Sequence, residues 1–260
     1  MKRLIAEYLF SPRSTCLGCG SVLCTDRAYL CADCYASVAP LYASGASIHD
    51  ICENCGEEYV AGRCKACKKR RVATVLTAAA YDYEGAIRSL VHAFKFGGVW
   101  RMSGWMAEEM FKACTDGFLD GVTVVTPVPL HPLRRLMRGY NQSQKLAEAF
   151  AKKTGLPCKR LLRRVRNTPQ QAKLTTQARR SNLKDAFAPL GDITNETVLL
   201  IDDVRTTGST AAECIRTLKS AGASEVRVLT FARATGAKPQ SKKYRPDRGK
   251  KLVKPEKDPF

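Results

Sequence analysis

Eight cysteines arranged as four Cys-x-x-Cys pairs in the first 67 residues constrain this chain more than anything else in it. The pairs are Cys16 with Cys19, Cys31 with Cys34, Cys52 with Cys55, and Cys64 with Cys67. A Cys-x-x-Cys turn offers two thiolates to one tetrahedral ion, and two such turns complete a set of four. Two structural zinc sites in a double zinc-ribbon module over residues 1–71 are therefore expected. Four thiolates per ion leave no open position for an activated water. Using the first four cysteines for one site and the last four for the other is the simplest pairing, and spacing alone leaves interleaving open. Gly18, Gly20 and Gly56 sit where a tight metal knuckle uses a residue free to take positive φ.

The competing reading is a disulfide framework. It would need an oxidising compartment, and the opening "MKRLIAEYLF" lacks the long apolar core and small-residue cleavage site of a secretory signal. A chain of 260 residues also has room for a real core without staples. Cys24, Cys114, Cys158 and Cys214 are left over and read as ordinary thiols.

Beyond residue 71 the pattern alternates. "VATVLTAAAYDYEG" reads as a strand ending in a turn at Glu84-Gly85. "AIRSLVHAFKF" places Ile87, Leu90, Val91 and Phe94 at helical spacing before Gly97-Gly98. A helix over 102–114 is expected next. "VTVVTPVPL" is a buried strand that runs into Pro127 and Pro129. Asn141 caps a helix that closes at Gly155, and a short strand is expected over 161–165. "TVLLIDD", "STAAECIRTLKSAG" and "EVRVLTFAR" then give strand, helix and strand. Such alternation predicts an α/β domain over 72–234, with a mostly parallel sheet flanked by helices. Residues 235–260 turn to Lys, Pro and Gly and read as a basic disordered tail. No apolar run is long enough to span a bilayer, so no membrane insertion is expected.

Charge is concentrated. The formal net charge is +19; residues 134–180 hold 14 Lys and Arg against the single acid Glu148, and residues 235–260 hold 9 against 3. These two blocks account for the whole surplus. They point to anionic partners, phosphates or nucleic acid.

The stretch "VLLIDDVRTTGST" carries the chemistry. A buried strand ends in Asp202 and Asp203, and a helix begins after Thr206, Thr207, Gly208, Ser209 and Thr210. Ligands of α/β sheets bind at this edge, and a helix N-terminus with free N–H groups favours phosphate. The motif is not a Walker loop, because "GxxxxGK[ST]" is absent. Carboxylates accept hydrogen bonds and vicinal sugar hydroxyls donate them. A ribose 5-phosphate satisfies both ends, with acids toward the sugar and the loop toward the anion.

"LLIDDVRTTGST" resembles the phosphoribosyl pyrophosphate (PRPP) loop of type I phosphoribosyltransferases. Together with the four Cys-x-x-Cys pairs, "HAFKFGG", "PVPLHPLRRLMRGYNQS" and "RNTPQQAKLTTQARRSNLKDAF", it makes residues 16 to 233 similar to the ComF/GntX family of competence-related proteins. The resemblance implies a type I phosphoribosyltransferase-like fold. It implies ribose contacts at Asp202 and Asp203, which would also carry any catalysis, and 5-phosphate contacts from Thr206 to Thr210. Arg134, Arg135 and Arg138 become candidate pyrophosphate partners, and the loop from Arg166 to Arg180 a lid. PRPP would arrive with Mg2+. The resemblance further implies single-stranded DNA and a helicase-like DNA-uptake protein as partners. The setting would be cytoplasmic, beside the inner face of the membrane, in natural transformation. Two alternatives stay open, an active phosphoribosyltransferase on an unidentified base or amine and a non-catalytic PRPP-sensing adaptor, as does the role of Arg205, a position often apolar in the family.

Overall fold

The computed structural model describes residues 15–23, 29–64, 67, 69–70, 72–166 and 183–234. Residues 167–180 of the expected lid, the tail over 235–260 and Cys24 lie outside them.

The cysteine-rich part opens with a short helix, α1 (Ala32–Ala36), followed by β1 (Ile48–Cys52). A small antiparallel sheet comes next, made of β2 (Tyr59–Val60), β3 (Arg63–Cys64) and β4 (Lys69–Arg70). From β5 (Thr74–Asp82) onward the chain alternates as expected. It runs through α2 (Gly85–Phe96), α3 (Ser103–Lys112), β6 (Val124–Pro127), α4 (Pro132–Arg138) and α5 (Gln142–Thr154). The short β7 (Leu162–Arg164) and β8 (Phe187–Pro189) pair with each other. Then come β9 (Thr197–Arg205), α6 (Ser209–Ser220) and β10 (Glu225–Arg233).

The main sheet has the order β1-β5-β10-β9-β6. Its last four strands are parallel, and β1 pairs antiparallel along the outer edge of β5. Helices cover both faces, so the central strands are apolar without interruption; Val198 to Ile201 are all fully buried. The pleat sends alternate residues to opposite layers. Leu199, Ile201, Leu229 and Phe231 meet α2, α3 and α5, while Val198, Leu200, Val226 and Val228 meet α6. Asn141 caps α5 by accepting a hydrogen bond from the Ser143 N–H at 3.2 Å, and Gly155 closes it at φ 75°. Both were expected from the sequence.

Two elements differ from the sequence reading. β1 lies inside the segment read as a zinc module, yet it is hydrogen-bonded into the α/β sheet, so the expected division at residue 71 is crossed by a strand. Its five residues, "IHDIC", are too few for alternation to stand out between cysteine pairs. The second is α4, a helix in a stretch for which no element is expected from the sequence. Pro132 sits in its first turn, and the His131 ring accepts from the Leu133 N–H at 3.3 Å, a capping role for that histidine.

The cysteine segment is also tied to the far layer. Glu109 of α3 is buried, and its carboxylate accepts from the hydroxyls of Tyr42 and Tyr81 and from Lys112 Nζ. A buried carboxylate is tolerated because both oxygens accept hydrogen bonds and one of the donors is a cation.

Candidate functional site

The carboxyl ends of β9 and β6, the N-terminus of α6 and the chain after β6 converge on one edge of the sheet. Gly208 takes φ 69°, a left-handed conformation that turns the strand end into α6, and Ser209 and Thr210 open the helix. The cleft there is lined by Asp202, Val204, Val128 and the whole turn from Arg205 to Ala211. Thr230 also lines it, one strand over from Asp202, with a buried hydroxyl that has no hydrogen-bond partner among the described residues. Thr207 and Ser209 hydroxyls lie 3.1 Å apart. All five residues expected to hold the phosphate are thus in one place. The first turn of α6 leaves N–H groups and a positive dipole end facing the cleft.

The two aspartates take different places. Strand alternation sends them to opposite faces. Asp202 faces the cleft. Its Oδ1 accepts from the Ser143 hydroxyl at 2.7 Å and from the Asp203 N–H at 2.9 Å. Burial, then the neighbouring charge of Asp203, pushes its carboxyl up to about 6. Asp203 is 5% exposed, and its carboxylate is paired with Lys95 at 2.9 Å. It is not among the residues that line the cleft, where Asp202 is. Lys95, at the end of α2, was quoted within "HAFKFGG" but not assigned a role. Burial works against its charge, yet Asp203 and Asp202 hold its pKa above the ordinary lysine value.

Cations gather around this pair. Burial and the charge of Arg138 lower the pKa of Arg134. Burial and the charge of Arg134 lower that of Arg164, while Cys214 and Asp202 pull it the other way. Arg138 donates to the Gln142 side chain at 3.2 Å and stacks over Phe96 at 4.8 Å. Arg164, on β7, does not stand out in the sequence because it is one of five basic residues in the eight-residue run 159–166. Arg135 is exposed on α4.

The Arg205 side chain is not free to reach an anion. It is 4% exposed and turned into the second cysteine knuckle. It donates from Nη1 to the Gly56 carbonyl at 3.4 Å and from Nη2 to Glu58 at 3.3 Å, and Nη2 lies 2.7 Å from His49 Nε2. Burial, then Arg205 and Arg233, depresses the pKa of His49 to about 3, so its ring is neutral.

The cysteines form two tetrads in sequence order. Cys16, Cys19, Cys31 and Cys34 form one and Cys52, Cys55, Cys64 and Cys67 the other, with all sulfurs of a set within 4.8 Å of one another. Zn–S bonds of about 2.3 Å place tetrahedral sulfurs about 3.8 Å apart. The observed Cys19–Cys31, Cys55–Cys64 and Cys52–Cys67 separations are 3.6, 3.3 and 3.9 Å. Both sets could hold zinc. The Ser21 hydroxyl pulls the Cys19 thiol down to about 6, while burial pushes Cys34 and Cys55 up. A bound dication favours the thiolate at each. Gly20 and Gly56 take positive φ as expected. Gly18 does not; it is needed for space, since a Cβ there would meet the Cys34 sulfur at 2.9 Å. Among the remaining thiols, Cys214 is buried, Cys158 exposed, and half-buried Cys114 bonds the Met110 carbonyl.

A mostly parallel sheet with an acid-ended strand, a hydroxyl-rich turn and a helix at its edge is the architecture of a type I phosphoribosyltransferase. Residues 136–258 match the phosphoribosyl transferase domain family. Competence protein F of Haemophilus influenzae is 30% identical over 230 residues, covering 84% of this chain and 96% of that one. The DNA utilization protein YhgH of Salmonella typhimurium is 32% identical over 157 residues, 58% of this chain and 69% of that one. Competence protein ComFC of Streptococcus pneumoniae is 25% identical over 236 residues, 84% of this chain and 99% of that one. The chain belongs to the ComF family, and what sets it apart from a bare phosphoribosyltransferase domain is the pair of cysteine tetrads.

Proposed function

We propose that this protein binds Mg-PRPP in the cleft beside Asp202 and handles single-stranded DNA during DNA uptake for natural transformation. The observation that carries the ligand is the cleft itself. Asp202 offers an acceptor where ribose hydroxyls would donate, and Thr206 to Thr210 offer hydroxyls and N–H groups where a 5-phosphate would sit. Arg134 and Arg138, on the helix that follows β6, would hold the pyrophosphate. Mg2+ would arrive on the pyrophosphate oxygens and neutralise part of their charge.

The nucleic-acid reading rests on the relatives named for competence and DNA utilization, the charge surplus, and one surface. Phe96 and Trp100 are 53% and 43% exposed. Arg138 lies over Phe96, and Arg101 and Lys145 lie 5.5 and 5.6 Å from the Trp100 ring centroid. Aromatic faces interleaved with cations suit the bases and phosphates of a single strand. Among the described residues no helix is long and apolar enough to cross a membrane. The protein would act on the cytoplasmic side, beside a helicase-like uptake protein.

A second reading, pentosyl transfer, is favoured by the Asp202 carboxyl held at about 6, near the working range of a general base. A nucleophile would form a bond to C1 of the ribose as the C1–O bond breaks, and pyrophosphate would leave with the electron pair. The arginines would stabilise that charge. Calorimetric titration with Mg-PRPP, repeated with a single-stranded oligonucleotide present, tests the first reading. Saturable one-site PRPP binding and salt-sensitive DNA binding are expected, and absence of PRPP binding would refute it. Pyrophosphate release that needs an added acceptor and disappears in Asp202→Asn would establish the second.

A further inference from the structure

The second cysteine knuckle and the turn of the cleft share a surface. Gly56 follows Cys55 directly, and its backbone lies against that of Gly208. A Cβ on either glycine would come within 2.7 Å of the other's Cα, and closer to its carbonyl. Both residues are left-handed, at φ 73° and 69°. Two more ties cross the same seam. Arg205, the last residue of β9, donates to the Gly56 carbonyl and to Glu58, and Lys219 of α6 pairs with Glu53 at 3.0 Å. Among the described residues the buried Arg205 Nε has no partner, and the guanidinium is held through its two Nη groups.

We propose that the second tetrad, acting through Gly56 and Arg205, positions the phosphate turn, so that metal at Cys52, Cys55, Cys64 and Cys67 is thermodynamically linked to ligand in the cleft. This rests on the reading of the cleft as a sugar-phosphate site. The knuckle keeps its shape because the Cys52 carbonyl accepts from the Cys55 and Gly56 N–H groups at 3.3 and 2.7 Å, and because a metal would hold its thiolates together. Opening the knuckle would withdraw the Gly56 carbonyl from Arg205 and the wall behind Gly208. Linkage is reciprocal, so ligand in the cleft must hold that metal more tightly. The first tetrad is an internal control. Its Cys16 and Cys34 pack into the core beside α2, and Gly18 abuts Ala86 at the start of that helix.

The test uses the full chain carrying two zinc ions. Zinc transfer to a chromophoric chelator is followed with and without saturating Mg-PRPP. Alkylation and mass spectrometry identify which cysteines become exposed. PRPP binding is measured separately by calorimetry. At equilibrium with the chelator, one zinc equivalent should be held about tenfold more tightly with ligand present, with Cys52, Cys55, Cys64 and Cys67 protected and the first tetrad unchanged. Gly56→Ala should weaken PRPP binding and erase that protection. Arg205→Gln, which removes the ties without adding bulk, should do the same while still binding two zinc ions. PRPP binding with ligand-independent release of both ions would overturn the linkage and leave the cleft reading standing. Absence of PRPP binding would overturn both.

Discussion

Replacing Asp202 with asparagine separates what its carboxylate costs from what it does. Burial and the charge of Asp203 raise the carboxyl from 3.8 to about 6, against the pull of Ser143 and Lys95. An unfolded aspartate titrates near 3.9, so between those values the folded chain keeps a proton that the unfolded chain has lost. The stability this group contributes is therefore full below about 3.9 and is lost as pH rises through about 6. About two pKa units at 1.36 kcal/mol each make the loss about 3 kcal/mol at pH 8. Asparagine keeps the shape and the oxygen that accepts from Ser143 and the Asp203 N–H, and it removes the charge. Urea denaturation should show Asp202→Asn more stable than the parent by about 2–3 kcal/mol at pH 8, with the difference closing toward pH 4. The same substitution should weaken Mg-PRPP binding at pH 8 by tenfold or more. A variant less stable than the parent at pH 8, or a difference that does not change with pH, would refute the reasoning.

Lys95→Met should destabilise the fold by about 3–5 kcal/mol, because it leaves the buried Asp203 charge unpaired; thermal denaturation reads this, and adding Asp203→Asn should recover much of the loss. Gly208→Ala should abolish PRPP binding in a titration, since the new Cβ would collide with the Gly56 backbone. Stripping both zinc ions should lower the melting temperature of the whole chain, not of a separate module, because β1 carries Cys52 into the main sheet. Phe96→Ala and Trp100→Ala should each cost about 1–3 kcal/mol of single-stranded DNA affinity by fluorescence anisotropy, with the salt slope preserved because the cations remain.

The elements that the sequence made legible are those whose signals are local. Helical spacing in "AIRSLVHAFKF", the cap at Asn141 and the unbroken apolar run before Asp202 each report on their own neighbours, and each appears where expected. The turn from Thr206 to Thr210 was legible because its hydroxyls and glycine are consecutive. What stayed hidden depends on contacts across the chain. Lys95 is 108 positions from Asp203 and Arg205 is 149 from Gly56, and no periodicity links them. Arg205 sits in a mostly polar stretch from Asp202 to Gly208, and only the docked knuckle shows that it is buried. β1 was masked by cysteines whose spacing already had an explanation. The two adjacent aspartates looked equivalent in one dimension, and the pleat of β9 separated them.

The central claim is that the cleft between residues 202 and 210 holds a phosphorylated pentose. A crystal structure of the protein with Mg-PRPP tests it most directly. The 5-phosphate should lie in the Thr206–Thr210 turn, with Asp202 within hydrogen-bond distance of the ribose hydroxyls and Asp203 still paired with Lys95. A ligand bound elsewhere on the chain, or a turn that remains empty at saturating ligand, would contradict the account.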